Sequence, residues 1–170
     1  MTVALPAGAP PSMGEAFAHI NSLTSPTVDD LKVMVLIEAA GLDLYRGIAA
    51  GSDNQAVVAL LEHNGREELA HSHRVSKAIL AITGEAYPPP EASDNPYLGG
   101  PMMSVPLTPE GLRGLAQSEY AGEALYESWA ANSSNEEAAR LFRLNGKEEA
   151  EHGERLLAAA SLLERNELAQ

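Results

Sequence analysis

Along this chain the apolar positions recur at helical spacing in four long stretches, and nowhere do β-branched and aromatic residues alternate for long enough to make a strand. The first predicted helix starts at Thr27-Val28-Asp29-Asp30, where a capping hydroxyl precedes an acid by three positions and a carboxylate falls near the positive end of the helix dipole. It spans about 28–50 and closes at Gly51. The second starts near Ser52 or Asp53, carries Val57, Leu60, Leu61, Val75, Ile79 and Ile82, and stops at Gly84. The third opens on Thr108-Pro109-Glu110, a cap followed by proline in the first helical position, and reaches about 131. The fourth follows Asn132-Ser133-Ser134 and covers about 135–165.

Two stretches break the pattern. Between Glu85 and Leu107 lie Pro88, Pro89, Pro90, Pro96, Pro101 and Pro106 with Gly99 and Gly100, and no long helix survives that many fixed φ angles and missing donors. Residues 1–26 are rich in Pro, Gly and Ala and read as an arm, in which Ala16-Phe17-Ala18-His19-Ile20 adds a short helical turn. Two helix pairs, each with a tight turn, joined by a long crossover predict an all-α, antiparallel four-helix bundle over 27–166. Its halves are about 28–84 and 108–165, and the crossover is 85–107.

The halves are copies. Shifting the chain by 81 positions aligns residues 38–71 with 119–152 without a gap, and 15 of the 34 pairs are identical. The clearest block sets Asn64-Gly65-Arg66-Glu67-Glu68-Leu69-Ala70-His71 on Asn145-Gly146-Lys147-Glu148-Glu149-Ala150-Glu151-His152. Duplication alone explains a shared core. The matched residues, however, include Glu38/Glu119, Asn64/Asn145, Glu68/Glu149 and His71/His152, which are polar, and Gly65/Gly146. A glycine inside a helix costs about 1 kcal/mol against alanine, so its presence in both halves indicates a need for space.

Composition narrows the partners. In 170 residues there are 24 acidic and 11 basic side chains, a net charge of −13, which argues against a phosphate backbone as the main partner. With no cysteine there is no disulfide, no thiolate nucleophile and no cysteine-based zinc or iron–sulfur site, which leaves His and carboxylates as the main metal donors. No apolar run approaches a membrane span. The first twenty residues contain no Lys or Arg and do not resemble a targeting peptide, so a cytoplasmic location is expected.

Glu68-x-x-His71 and Glu149-x-x-His152 are the two Glu-x-x-His spacings in the chain and hold the same place in both repeats. Residues three apart on a helix share a face, so each pair can reach one point. Glu38 and Glu119 sit among Val35, Leu42, Leu115 and Leu125, on faces that are otherwise core. Four buried acids facing one another would repel and be forced to protonate. Two divalent cations reverse that: four carboxylates balance their charge and two neutral imidazoles complete the coordination. Such donors suit iron and manganese, with zinc also accommodated.

A Glu from each of two helices with a Glu-x-x-His from each of the other two is the ligand set of ferritin-like di-iron proteins. From Val28 to Arg165 the chain resembles that superfamily, closest to the rubrerythrin branch without its rubredoxin domain. The resemblance implies that Glu38, Glu68 and His71 serve mainly one metal and Glu119, Glu149 and His152 the other, with some carboxylates bridging. Tyr45 and Tyr126, seven residues after Glu38 and Glu119, have three readings: hydrogen bonds to ligand carboxylates, redox-active groups, or core tyrosines with satisfied hydroxyls. The chain departs from rubrerythrins at Gly122, where they carry an additional ligand Glu; Glu123 is turned away by about 100° of helix. The set is therefore symmetric, as in bacterioferritin.

The resemblance implies a dinuclear-metal oxidoreductase, of peroxidase or ferroxidase type, acting on peroxide or dioxygen in oxidative-stress defence or iron oxidation. Its electrons come from an external donor or from incoming Fe²⁺. The alternatives are an iron-storage protein with a ferroxidase site and a non-catalytic metal-binding bundle. The proline-rich crossover and the arm fit a cage poorly, so a homodimer is expected. His63 and His73 face Leu144 and Glu154 in the other repeat and read as surface; His19 reads as incidental. Glu67/Glu148 and Arg74/Arg155, kept in both halves, read first as solvated helix faces and second as salt bridges or as partners behind the ligands, Trp129 and Phe142 as core, and Met102-Met103 as loop packing or a soft metal site.

Overall fold

The computed structural model describes residues 2–100 and 104–167, and it is all-helical, with no strand among them. Five α-helices follow in order: α1 (Met13–Asn21), α2 (Val28–Ala49), α3 (Gln55–Thr83), α4 (Pro109–Asn132) and α5 (Glu136–Glu167). Helix α2 packs on α3, α4 on α5, and α3 on α5.

The helix starts are built from the residues that signalled them. Thr27 Oγ1 accepts from the Asp30 amide at 3.2 Å while the Asp30 carboxylate accepts from the Thr27 amide at 2.8 Å, a reciprocal cap. Thr108 caps α4 ahead of Pro109. Asn54 and its repeat counterpart Asn135 cap α3 and α5 through their side-chain oxygens. Gly84 ends α3 with φ of +78°, a left-handed conformation that glycine adopts without penalty.

Two regions are more structured than their composition suggests. The expected arm contains α1, whose Ala16 and Ile20 are buried in the core beside Leu31, Val35 and Trp129. The crossover forms two short 3-10 turns, Ala92–Asp94 and Pro96–Gly99. Between them Asn95 is buried and donates to the Leu36 carbonyl at 2.8 Å, and Tyr97 donates to the Pro10 carbonyl at 3.0 Å. One buried amide and one phenol thus fasten the crossover to α2 and hold the N-terminal segment on it.

Buried apolar residues fall into two clusters. Cluster one includes Leu36, Val75, Leu125 and Phe142; cluster two includes Ile48, Leu61, Leu112 and Leu156. Helices α2 and α5 run from cluster one to cluster two, and α3 and α4 run the other way. On each helix the polar residues Glu38, Glu68/His71, Glu119 and Glu149/His152 lie between the two apolar segments.

Candidate metal centre

Each of the four long helices places its acid where the apolar stripe is interrupted, and the six side chains converge. Glu38, Glu68, His71, Glu119, Glu149 and His152 are all buried, both imidazoles completely. Glu38, Glu68, His71 and Glu149 offer ligand atoms within 4.8 Å of one another, and so do Glu68, Glu119, Glu149 and His152. Glu68 and Glu149 belong to both groups. These buried groups could hold a metal ion.

The imidazoles are aimed. Nδ1 of His71 lies 3.2 Å from Glu149 and 3.6 Å from Glu38; Nδ1 of His152 lies 3.3 Å from Glu68 and 3.6 Å from Glu119. Neither Nδ1 makes a hydrogen bond, although both are buried. A buried polar nitrogen facing carboxylates without a partner is costly, and a cation among these donors supplies what it lacks. The two rings stack at 5.0 Å with planes 17° apart.

The opposite nitrogen of each ring shows what fixes its orientation. His71 Nε2 meets Glu148 at 3.2 Å, and His152 Nε2 meets Glu67 at the same distance. Each glutamate is held by an arginine: Arg74 donates twice to Glu148, at 2.7 and 2.8 Å, and Arg155 pairs with Glu67. Arg155 Nε also donates to Asn64 at 2.6 Å and Arg74 to Asn145 at 3.1 Å, while the amides of those asparagines reach the carbonyls of His152 and His71. Glu67, Glu148, Arg74 and Arg155 are therefore not solvated faces. They form two Arg–Glu–His relays running between α3 and α5, and their recurrence at the 81-residue interval was the sign of them. A carboxylate on the far nitrogen leaves Nδ1 free to ligate.

Tyr45 donates to Glu119 at 2.6 Å, and Tyr126 donates to Glu38. Both phenols bridge α2 and α4 and both are buried, so the geometry supports the hydrogen bonds to the candidate carboxylates and the reading of core tyrosines with satisfied hydroxyls together. Around them the halves differ: Tyr126 contacts Trp129 and Phe142, whose repeat counterparts are Ile48 and Leu61. Trp129 and Phe142 are core, as expected.

The glycines supply the space the repeat implied. A Cβ on Gly65 would lie 3.0 Å from Tyr45 Cβ, and one on Gly146 3.2 Å from Tyr126 Cβ, so glycine lets each helix pair close up. A Cβ on Gly41 would come within 2.8 Å of Glu68.

Burial and mutual repulsion distort the titration of the cluster. Burial, then the Glu149 charge, raises Glu119 to about 8 and Glu68 well above the carboxylate range. Burial also pushes Glu149 upward, but the neighbouring His152 and His71 imidazoles outweigh it and hold Glu149 ionised. Burial disfavours the imidazolium of His152, yet the surrounding glutamates raise it to about 12, and His71 is raised likewise. Without metal, protons do the neutralising that cations would do.

The remaining candidates fall outside the cluster. His63 is exposed and meets Glu67 at 3.1 Å, His73 is exposed, and Glu123 is exposed on α4. His19 is not incidental: its Nε2 bonds Asp30 at 2.7 Å and ties α1 to the start of α2. Met102-Met103 lies outside the described residues. No described helix is long and apolar enough to cross a membrane. No protein-family model, curated protein or solved structure matches the chain.

Proposed function

We propose that the chain is a dinuclear-metal oxidoreductase of the ferritin-like, rubrerythrin-related kind, with two iron ions as its cofactor and peroxide or dioxygen as its oxidant. The observation that carries this reading is the pair of orphaned Nδ1 atoms set among four buried carboxylates, two of which belong to both ligand groups. The four acids balance two divalent charges, and the donor types suit iron or manganese better than softer metals. The order in which the helices visit the two apolar clusters supports an antiparallel four-helix bundle with one long crossover.

In this reading Glu38, Glu68, His71 and Glu149 would hold one ion, and Glu68, Glu119, Glu149 and His152 the other. Bound iron would supply the electrons that reduce the oxidant. The protein residues position and insulate. Glu148 and Glu67 fix the imidazole tautomers, Tyr45 and Tyr126 hold the outer carboxylates, and the apolar clusters exclude water from both ends of the site. The chain has no cysteine, so reducing equivalents come from a separate donor or from incoming Fe²⁺. We place the protein in the cytoplasm as a homodimer.

Stopped-flow mixing of Fe²⁺-loaded protein with dioxygen or peroxide tests the function. The reading requires oxidation faster than that of free Fe²⁺ and its loss in Glu68→Gln and Glu149→Gln. Oxidation no faster than free Fe²⁺ would refute it.

A further inference from the structure

The carboxylates have an open side. A cavity of about 130 Å³ lies against Glu38, Glu68, Glu119 and Glu149, and neither imidazole is among its walls. Helices α2 and α4 form its sides, Met13, Phe17, Ile20 and Asn21 of α1 its roof, and α3 and α5 supply only the two shared glutamates. Most of its remaining walls are apolar, including Phe17, Met34, Ile37, Leu44, Leu115 and Leu125.

We propose that this cavity binds a compact, uncharged, apolar organic molecule of about six to eight heavy atoms, a single ring or a short branched chain. The size is the first argument. A diatomic oxidant or a peroxide needs little more than the roughly 30 Å³ share of one water, whereas a dry apolar cavity of about 150 Å³ accepts benzene. The charge is the second. No Lys or Arg lines the cavity, and acids form its floor, so an anion finds no counter-charge from the protein.

Access is built into α1. Phe17, Asn21, Ser118 and Leu125 line both this cavity and a neighbouring opening between α1 and α4. Helix α1 packs on α2 and is tied there by His19–Asp30, while Trp129 Nε1 donates to the Leu23 carbonyl and holds the following segment on α4. The helix thus covers the cavity as a lid fastened along one side, with its seam facing α4.

As the substrate site of the proposed oxidoreductase the cavity rests on that reading; the binding itself does not. The test uses the full chain loaded with Zn²⁺, which is redox-silent, with metal content measured on the same sample. Calorimetry with toluene and xenon pressurisation of crystals are the probes. The expected result is one saturable toluene per chain and one xenon peak beside Leu44, with affinity lowered at least tenfold in Ile37→Trp and Leu44→Trp at unchanged metal content. Metal bound but neither probe bound would overturn the cavity assignment and leave the metal reading standing. Toluene bound without metal would support the cavity and sink the metal reading. Benzoate binding tighter than toluene would overturn the uncharged occupant.

Discussion

Tyr45 on α2 donates a 2.6 Å hydrogen bond to Glu119 on α4, and the repeat returns the bond, from Tyr126 on α4 to Glu38 on α2. Each phenol therefore restrains the outer carboxylate of the opposite half. Removing one hydroxyl leaves a buried carboxylate oxygen short of a donor, which costs about 1–3 kcal/mol. Tyr45→Phe and Tyr126→Phe should each lower unfolding stability by that amount in urea titrations. An unchanged midpoint in both would show that the bonds do not restrain the site.

The Arg–Glu–His relays make a separate prediction. Glu148→Gln and Glu67→Gln keep the shape but weaken the hold on the far imidazole nitrogen. Outer partners of this type are worth about 10–100-fold in metal affinity. Competition titration with a chelator should show a loss in that range for either variant. Equal affinity would mean that the rings are oriented by packing alone.

Gly41 and Gly122 occupy the same repeat position but differ in tolerance. An added Cβ would sit 2.8 Å from Glu68 Cβ in one case and 3.3 Å from Glu149 Cδ in the other. Gly41→Ala should destabilise by about 1–3 kcal/mol through overpacking. Gly122→Ala should be near neutral, because the helix gain of about 1 kcal/mol over glycine offsets a small shift. Thermal denaturation of both variants checks the contrast, and equal losses would contradict it.

For protein stripped of metal, protonation of the carboxylate and imidazole cluster sets the pH dependence. Glu119 titrates near 8 in the folded chain, well above an unfolded glutamate, so the folded state binds the extra proton. Stability from this group is complete below about pH 4.5 and is lost as the pH rises through about 8. His152, raised to about 12, acts in the same direction above about pH 6.5. The metal-free protein should thus melt at lower temperature at pH 8 than at pH 5. Metal uptake displaces those protons, so metal affinity should rise over the same interval. A metal-free melting temperature that rises from pH 5 to pH 8 would contradict the assignment.

Much of this was legible because the polar residues broke an apolar pattern twice at the same spacing. Glu38 and Glu119 stood out on faces that were otherwise core, and the Glu-x-x-His pairs named the partners. The relays were harder to read. Glu67 and Arg74 fall on a helix face that looks solvated in one helix, and only the packing of α3 on α5 turns that face inward toward the other repeat. Helix α1 was legible in part: the turn expected at residues 16–20 lies inside it, but the Pro and Gly-rich flanks masked its full nine residues, and burial of Ala16 and Ile20 by other elements holds it in place.

The most direct measurement of the central claim is anomalous scattering at the iron edge from crystals of Fe²⁺-loaded protein, with Glu68→Gln as control. The account predicts two peaks, each within bonding distance of one imidazole Nδ1 and both touching Glu68 and Glu149, weakened together in the variant. Absence of density between the imidazoles, or metal bound only to surface acids, would contradict it.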